Sequence, residues 1–345
     1  MAAEQEVAER ERLRKEREAK AAEEERLRAK KRTEWWKKNT KWIITGSVLI
    51  LLCFSAYIFS VNRDSVVASN KNEISIFRFR ESTHLIIPKG VTEIEDNAFS
   101  DCPSIISVII SNSVTSIGDK AFGNCKGLTS VTIGAGVTTI GREVFKNTNL
   151  SSVVWNAKNC MDFEEKNTPF YYSEGFDDRY NVREQITSFS FGEEVEHVPA
   201  YLCYHMSNIK SIEMPNNVTT IERDAFSDCK NLTSVSLSKN IINIGWSAFS
   251  FCGLTSIEIP NSVTSIEGFA FYCCYNLASC SIANGVERIG EYAFCGCPIS
   301  SIVIPKSVTT IERDAFYDCK NLNIKLPERF RGKVEIPDYE SVRYY

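Results

Sequence analysis

Cys125-Lys-Gly-Leu-Thr-Ser-Val-Thr-Ile-Gly-Ala-Gly-Val-Thr-Thr-Ile-Gly-Arg-Glu-Val-Phe145 is the unit of sequence that decides the fold. Its frame, Leu-x-Ser-Val/Ile-x-Ile/Leu, then Val-Thr-x-Ile and Ala-Phe-x-x-Cys, recurs with changes from about residue 85 to residue 327. A fixed period in this range predicts a solenoid. The phenylalanine recurs every 22 or 23 residues in two runs, with Cys203 in its position before the second: Phe99, Phe122, Phe145; Phe226, Phe249, Phe271, Phe294, Phe316.

Each repeat reads as two short strands and a turn. Alternation points Val131 and Ile133 to one face and Ser130 and Thr132 to the other, and a second alternating piece covers 137–140. One repeat cannot bury its apolar residues alone, whereas stacked repeats bury them in a continuous core. We expect the Ala-Phe pair to end a helical or 3₁₀ turn, with the ring plugging the core. The prediction is therefore an α/β-type repeat solenoid that is mostly β.

The repeated motifs are specific enough to carry a family resemblance. Leu-x-Ser-Val-x-Ile and Ala-Phe-x-x-Cys recur at least nine times over roughly 70% of the chain, and 153–160, 185–192 and 195–203 read as a variant unit. This pattern resembles the BspA-type leucine-rich repeats of bacterial surface proteins. The resemblance implies a curved right-handed solenoid used for protein binding or adhesion, and it transfers no catalytic residue.

The first 41 residues are strongly charged. They hold 14 Lys/Arg and 10 Glu, which leaves 26 Lys/Arg and 34 Asp/Glu, a balance of −8, for the remainder. Strong helix formers dominate, and acid-first pairs such as Glu6/Arg10 favour a helix. No apolar heptad supports a coiled coil. We predict a charged helical segment at 1–41, and both a solvated helix and a docking helix remain open.

A run without a charged residue follows at 42–61. As a helix it would span roughly 30 Å, the thickness of a bilayer core. Trp35, Trp36 and Trp42 precede it and Tyr57 lies near its end, as in an aromatic belt. A signal peptide is the competing interpretation, but the preceding charged region is long and no small-x-small site follows cleanly. The sequence therefore predicts an uncleaved single-pass membrane anchor.

The basic residues predict the orientation of that anchor. Only Arg63 and Lys71 follow the run within about ten residues, whereas a dense basic cluster precedes it. The positive-inside rule then places the N-terminus in the cytoplasm and the repeats in the periplasm or outside the cell. The preceding cluster is Arg26, Arg28, Lys30, Lys31, Arg32, Lys37, Lys38 and Lys41.

The rest of the chain divides around the repeats. We predict a linker and N-terminal cap at 62–84, with a capping strand in its alternating piece 74–80, and a solenoid at 85–327. A C-terminal cap is expected at 328–345, since terminal repeats need a polar outer face.

The period breaks once, between Leu150 and Ile186, and leaves an irregular insertion at 156–185 that is rich in aromatic and acidic residues. Insertions in solenoids map to loops on one face, often the binding face. The alternative is an expanded repeat whose aromatic rings cover the core edge. From the insertion and the exposed strand positions we predict these ligand-binding residues: Trp155, Phe170, Tyr171, Tyr172, Tyr180, Thr132, Ser190, Glu213, Glu258 and Lys325.

Seven of the 13 cysteines follow the phenylalanine by three residues: Cys102, Cys125, Cys229, Cys252, Cys274, Cys297 and Cys319. A cysteine that recurs at the same position of successive repeats is expected to be a free, buried thiol. A zinc site would need ligands that converge on one point, so no metal is predicted. Cysteines in an oxidising compartment normally form disulfides, so this ladder and the flanking charges point to opposite compartments, and we give the charges more weight.

The sequence offers little reactive chemistry. Cys203 and His205 are the raw material of a nucleophile and its base, but Cys203 falls at a core position. No phosphate loop, dinucleotide fingerprint or zinc-protease motif is present, and no basic stripe favours nucleic acid. We predict a non-enzymatic protein- or glycan-binding module without a cofactor, displayed from the membrane. The alternative is a membrane scaffold that tethers a cytoplasmic partner through 1–41.

Overall fold

A computed structural model describes residues 65–67, 83–170, 182–333 and 341–345, which form a succession of stacked parallel rungs, one for each sequence repeat. Each rung contributes one long strand, and these strands pair in parallel with their equivalents on neighbouring rungs in four successive sheets, the first of six strands and the others of two, two and three strands. The long strands are β1 Ser65–Val67, β2 His84–Ile87, β4 Ser107–Ile110, β6 Ser130–Ile133, β8 Ser152–Trp155, β9 Ser188–Phe191, β11 Ser211–Glu213, β13 Ser234–Ser236, β15 Ser256–Ile259, β17 Ser279–Ile282, β19 Ser301–Val303, β21 Asn323–Leu326 and β22 Ser341–Tyr344.

A second side of the rungs carries strands of two residues each. They form two further parallel sheets, interrupted at the insertion. The short strands are β3 Glu93–Ile94, β5 Ser116–Ile117, β7 Thr139–Ile140, β10 His197–Val198, β12 Thr220–Ile221, β14 Asn243–Ile244, β16 Ser265–Ile266, β18 Arg288–Ile289 and β20 Thr310–Ile311.

The core is a stack of identical layers. Val131 and Ile133 are buried and Thr132 points outward, as the alternation predicts. The phenylalanine rings stack face to face along the solenoid, with 5.2 Å between the ring centroids of Phe226 and Phe249 and 2° between their planes. Cys203 occupies the same position, because its N–H donates to the carbonyl of Ala225 as each phenylalanine N–H does to the next rung. The predicted plug is therefore confirmed.

The turns around each phenylalanine are not helical, and the predicted helical or 3₁₀ turns and the α/β-type label are wrong. Residues two before and two after the ring have positive φ, such as Lys120 (53°) and Asn124 (60°) around Phe122. This left-handed conformation interrupts any helix. The solenoid is thus mostly β, and its described helices are only the single turn α1 (Val182–Gln185) and a 3₁₀ turn (Glu328–Phe330).

Extra strands close both ends of the described solenoid. β1 pairs with β2, so the N-terminal edge strand lies earlier in the chain than the predicted piece 74–80, which is outside the described residues. β22 pairs with β21, and the Tyr345 hydroxyl donates to the carbonyl of Ile304 (2.7 Å). No helix within the described ranges is long and apolar enough to cross a bilayer, and the predicted helices at 1–41 and 42–61 lie outside those ranges.

The twelve cysteines within the described ranges are free, buried thiols, and seven of them form the predicted ladder; Cys53 lies outside those ranges. Six of the seven ladder S–H groups lie against a carbonyl of an earlier rung, as in the contact of Cys125 Sγ with the carbonyl oxygen of Phe99 (3.0 Å), and Cys102 Sγ lies against the Ser100 carbonyl of its own rung. Burial raises the pKa of the Cys125 thiol to about 12. The ladder thiols therefore fill space in the core and act as hydrogen-bond donors to backbone carbonyls.

This burial predicts how the thiols react. Because the seven ladder thiols are buried away from solvent, we expect a thiol-directed chromogenic reagent to leave them unmodified in the folded protein at mildly alkaline pH. The same reagent should modify them all in urea. Rapid native modification of Cys125 or Cys229, identified by mass spectrometry, would contradict the packing described above.

Candidate recognition surface

The outward positions of the long strands form one exposed column. Glu213, Glu258, Ser190 and Lys325 are exposed as predicted, and Thr132 is half-buried. The column changes along the solenoid from apolar, through acidic, to basic residues: Ile86, Ile109, Thr132, Val154, Ser190, Glu213, Ser236, Glu258, Ser281, Val303, Lys325 and Arg343. No single chemistry runs the whole length of the column, so the strand face presents no uniform ligand site.

Two of the aromatic residues predicted to bind ligand are core residues. Trp155 has no exposed surface, and Phe170 is 1% exposed. Trp155 pairs in register with Ile133 on the inner side of the strand, where alternation directs it into the core. Tyr171, Tyr172 and Tyr180 lie outside the described residues. The prediction of Trp155 and Phe170 as surface contacts is therefore corrected by their burial.

Phe170 continues the phenylalanine stack into the insertion. Its ring centroid lies 5.5 Å from that of Phe145, and the Phe145 N–H donates to the carbonyl of Pro169 (3.3 Å). Pro169-Phe170 thus replaces Ala-Phe in this rung. The interval from Phe145 is 25 residues and the preceding alanine is missing, which hid the repeat in the sequence.

Arg183 fixes the returning end of the insertion. The side chain is buried and donates to the carbonyl of Glu165 (3.0 Å) and to Thr168 Oγ1 (2.8 Å). Its guanidinium carbon also lies 5.3 Å from the centroid of the Tyr204 ring. A buried cation requires such partners, so this contact set holds the expanded rung against the array.

The turn side presents a different surface, built on the positive-φ positions. Asparagine and aspartate tolerate this conformation best among non-glycine residues, and they fill nine of the 18 such non-glycine positions. Their side chains also bond to one another between rungs, as Asn124 Nδ2 does to Asp101 Oδ1 (3.1 Å) and Asn147 Nδ2 to Asn124 Oδ1 (2.8 Å). In these polar ladders, the turn side chains find hydrogen-bond partners within the solenoid.

Three adjacent rungs break that rule with aromatic residues, as Tyr201 (φ 57°) also does in the rung of Cys203. Phe251, Phe269 and Tyr292 have φ of 55°, 57° and 52° at positions where other rungs carry mainly asparagine, aspartate or another polar residue. Together with their neighbours they form what we call the aromatic turn patch: Trp246, Phe251, Phe269, Tyr272, Tyr275 and Tyr292. Left-handed backbone costs about 1–2 kcal/mol per residue, and bulky side chains rarely adopt it.

Five rings of the patch contact one another, and Tyr275 adjoins them through Cys273, with which the side chains of both Tyr272 and Tyr275 form hydrogen bonds. Phe269 lies at its centre, with ring centroids 5.1 Å from Trp246, 5.2 Å from Tyr272 and 5.1 Å from Tyr292. Gly268 admits the indole, because a Cβ there would lie 2.6 Å from Trp246 Cζ3. Strained residues that are not buried in the core favour a functional role.

The patch can be recognised in the sequence when the repeats are aligned with one another position by position. The residue after the ladder cysteine is lysine in three rungs, at Lys126, Lys230 and Lys320, but Tyr275 stands there in the patch and is 66% exposed. Phe251, in the asparagine and aspartate column, is 40% exposed. The signal was the departure from the column consensus rather than any motif.

We expect Phe251→Asn to stabilise the fold by about 1 kcal/mol. Asparagine relieves the left-handed strain and can extend a polar ladder, each contributing about 1 kcal/mol, against the loss of one edge-to-face contact with Tyr272. Urea unfolding followed by circular dichroism measures the change. The reciprocal Asn124→Phe should destabilise; a loss of stability in Phe251→Asn would show that the ring serves folding.

The groups that could have supported catalysis are unsuited to it. Cys203 is fully buried, and burial raises the pKa of its thiol well above the usual value. His205 packs against the Tyr204 ring (4.3 Å between centroids), and burial lowers its pKa. Within the part of the chain that the structure describes, no group of three or more His, Cys, Asp or Glu residues is arranged to hold a metal ion.

Comparison with known proteins now defines the family. A model described as the BspA type leucine rich repeat region, in six copies, matches residues 55–174 and 196–323. The chain belongs to this family. The gap between the two matched ranges lies within the segment that separates Phe170 from Cys203, where the rung is expanded.

Several solved structures are similar to this BspA-type repeat protein. A leucine-rich repeat protein from Bacteroides ovatus is 22% identical, with a TM-score of 0.39, over 77% of this chain and 84% of that one. A leucine rich cell surface protein from Faecalibacterium prausnitzii is 22% identical, with a TM-score of 0.32, over 76% and 88%. The pneumococcal vaccine antigen PcpA is 15% identical, with a TM-score of 0.45, over 81% and 78%. No curated protein matches the sequence.

Proposed function

We propose that this BspA-type repeat protein is a non-enzymatic recognition module that binds a protein partner outside the cytoplasm, held at the membrane by 42–61. The aromatic turn patch carries the proposal. Aromatic residues are enriched in protein interfaces because they offer large amphipathic contact area. The patch retains exposed rings at a cost in backbone strain, whereas the two flanking rungs have aspartate at the same positions, Asp224 and Asp228 on one side and Asp314 and Asp318 on the other.

The display part of the proposal rests on the charge asymmetry around 42–61. Protease treatment of intact cells or spheroplasts, compared with lysed cells, tests it. We expect cleavage of the solenoid while 1–41 stays protected. Protection of the solenoid until lysis would overturn the orientation and move the partner search inside the cell.

The recognition part is tested by photocrosslinking in cells from a photoreactive residue at Tyr275. The matched control carries the same residue at Ser281, which is exposed on the strand face. We expect a discrete adduct from Tyr275 only. An adduct from Ser281 only would move the binding surface to the strand column, and no adduct from either position would reject recognition at both surfaces.

A further inference from the structure

We propose that the aromatic turn patch recognises an arginine-bearing, basic segment of the partner. The inference rests on the proposed recognition function and names the chemistry of the partner. It follows from three features of the patch: its charge, its exposed rings, and the pairing of every basic residue at its borders.

The patch has acidic groups and no basic ones. Across the turn segments 245–253, 267–276 and 290–298, the charged residues are Glu267 and Glu291. Glu267 already pairs with Arg288 Nη1 (2.6 Å) on the short-strand side. Glu291 has no ion-pair partner among the described residues. Its backbone carbonyl accepts the Phe269 N–H (2.9 Å), and this hydrogen bond holds the Glu291 backbone beside residue 269, whose ring is the central one.

The rungs on either side do not offset this acidity. Arg223 Nε lies 3.3 Å from Asp224 Oδ2 on one border, and Arg313 Nε lies 3.0 Å from Asp314 Oδ2 on the other. Lys230 pairs likewise with Asp228 and Lys320 with Asp318 (both 3.7 Å), so each border cation lies beside a carboxylate of its own rung. A hydrogen bond to Asp314 raises the pKa of Tyr292, so this carboxylate also borders the rings.

The exposed rings complete a surface suited to a guanidinium. Tyr275 and Phe251 are the most exposed rings of the patch, at 66% and 40%. A guanidinium both stacks on aromatic faces and pairs with carboxylates. A lysine ammonium also pairs with carboxylates, but it stacks less well on an aromatic ring. The balance of −8 over residues 42–345 would also speed the approach of a basic partner.

The test is fluorescence anisotropy with the full-length protein and labelled short peptides at physiological salt. The probes are alternating Arg-Gly, Lys-Gly, Glu-Gly and Ser-Gly peptides. We expect the Arg-Gly peptide to bind most tightly, the Lys-Gly peptide more weakly, and the other two not at all. Phe251→Asn combined with Tyr275→Lys should weaken Arg-Gly binding by about tenfold or more.

The double variant is designed to keep the fold. Both new residues occur naturally at the same positions of other rungs, as Asn124 and Lys126 do. Asp228→Asn is the matched control, because it makes the same change in net charge on the neighbouring rung without altering a ring. We expect this control to bind the Arg-Gly peptide within about twofold of the natural protein.

The outcomes separate this inference from the proposed function. Equal weakening in Asp228→Asn and the double variant would mean that diffuse charge attracts the peptide, and would overturn the inference. Binding of a neutral oligosaccharide panel at the patch, without Arg-Gly binding, would also overturn it in favour of a glycan. A patch-dependent crosslink in cells with no Arg-Gly binding would reject only the chemistry assigned here, and leave recognition standing.

Discussion

Phe226→Ala is expected to lower the free energy of unfolding by about 3–5 kcal/mol, the usual cost of removing a buried aromatic ring. Phe226 has no exposed surface and stacks on Phe249 at 5.2 Å. Its other side meets the edge of Phe191 at 6.2 Å. Because rungs contact only their neighbours, the cavity falls on the junction between the second run of rings and the expanded rung.

Urea unfolding followed by circular dichroism measures that loss. Phe226→Leu keeps most of the volume and should cost about half as much or less. Cys203→Ala, at the same position one rung earlier, removes only one sulfur atom and should cost about 1 kcal/mol. If Phe226→Ala unfolded at the urea concentration of the natural protein, the stacked rings would not be the source of stability.

The features that the sequence predicted well are those that repeat. Three patterns recur in most repeats: the strand alternation, the core position of the phenylalanine, and the cysteine ladder. Because each pattern recurs, an interpretation made for one repeat can be checked against the others. Even Cys203 was placed correctly, because spacing outweighed residue type. A solenoid is nearly one-dimensional, and its period carries most of its architecture.

The turns could not be predicted in the same way. Ala-Phe flanked by polar residues is compatible with a helical turn, and only the positive φ of residues such as Lys120 excludes it. Left-handed positions filled by lysine or glutamate carry no sequence signature, since those residues more often occur in helices. The asparagine and aspartate at the same positions in other rungs were the available clue.

The candidate site was missed for a related reason. The sequence prediction placed aromatic ligand contacts in and beside the irregular segment 156–185, but Trp155 and Phe170 fill the core there. The exposed aromatic residues instead sit inside regular repeats and disturb no spacing. In a repeat protein, the consensus describes the fold, and departures from it at strained, exposed positions such as Phe251 point to function.

Trp155→Ala is expected to destabilise the expanded rung by about 3–5 kcal/mol and to leave the aromatic turn patch unchanged. The Trp155 ring is fully buried, with centroids 6.4 Å from both Phe163 and Phe189. Its loss opens a cavity where the insertion leaves the array. Urea unfolding gives the size of the effect, and Arg-Gly peptide binding, measured well below the unfolding midpoint, should stay within about twofold.

Trp155→Phe is the matched control. The indole Nε1 is buried without a hydrogen-bond partner, so phenylalanine removes an unsatisfied donor, worth about 1–3 kcal/mol, while it loses part of the ring volume. These effects oppose each other, and the net change should stay within about 1 kcal/mol. A Trp155→Ala protein that kept full stability but lost a ligand would instead restore Trp155 as a binding residue, against its burial here.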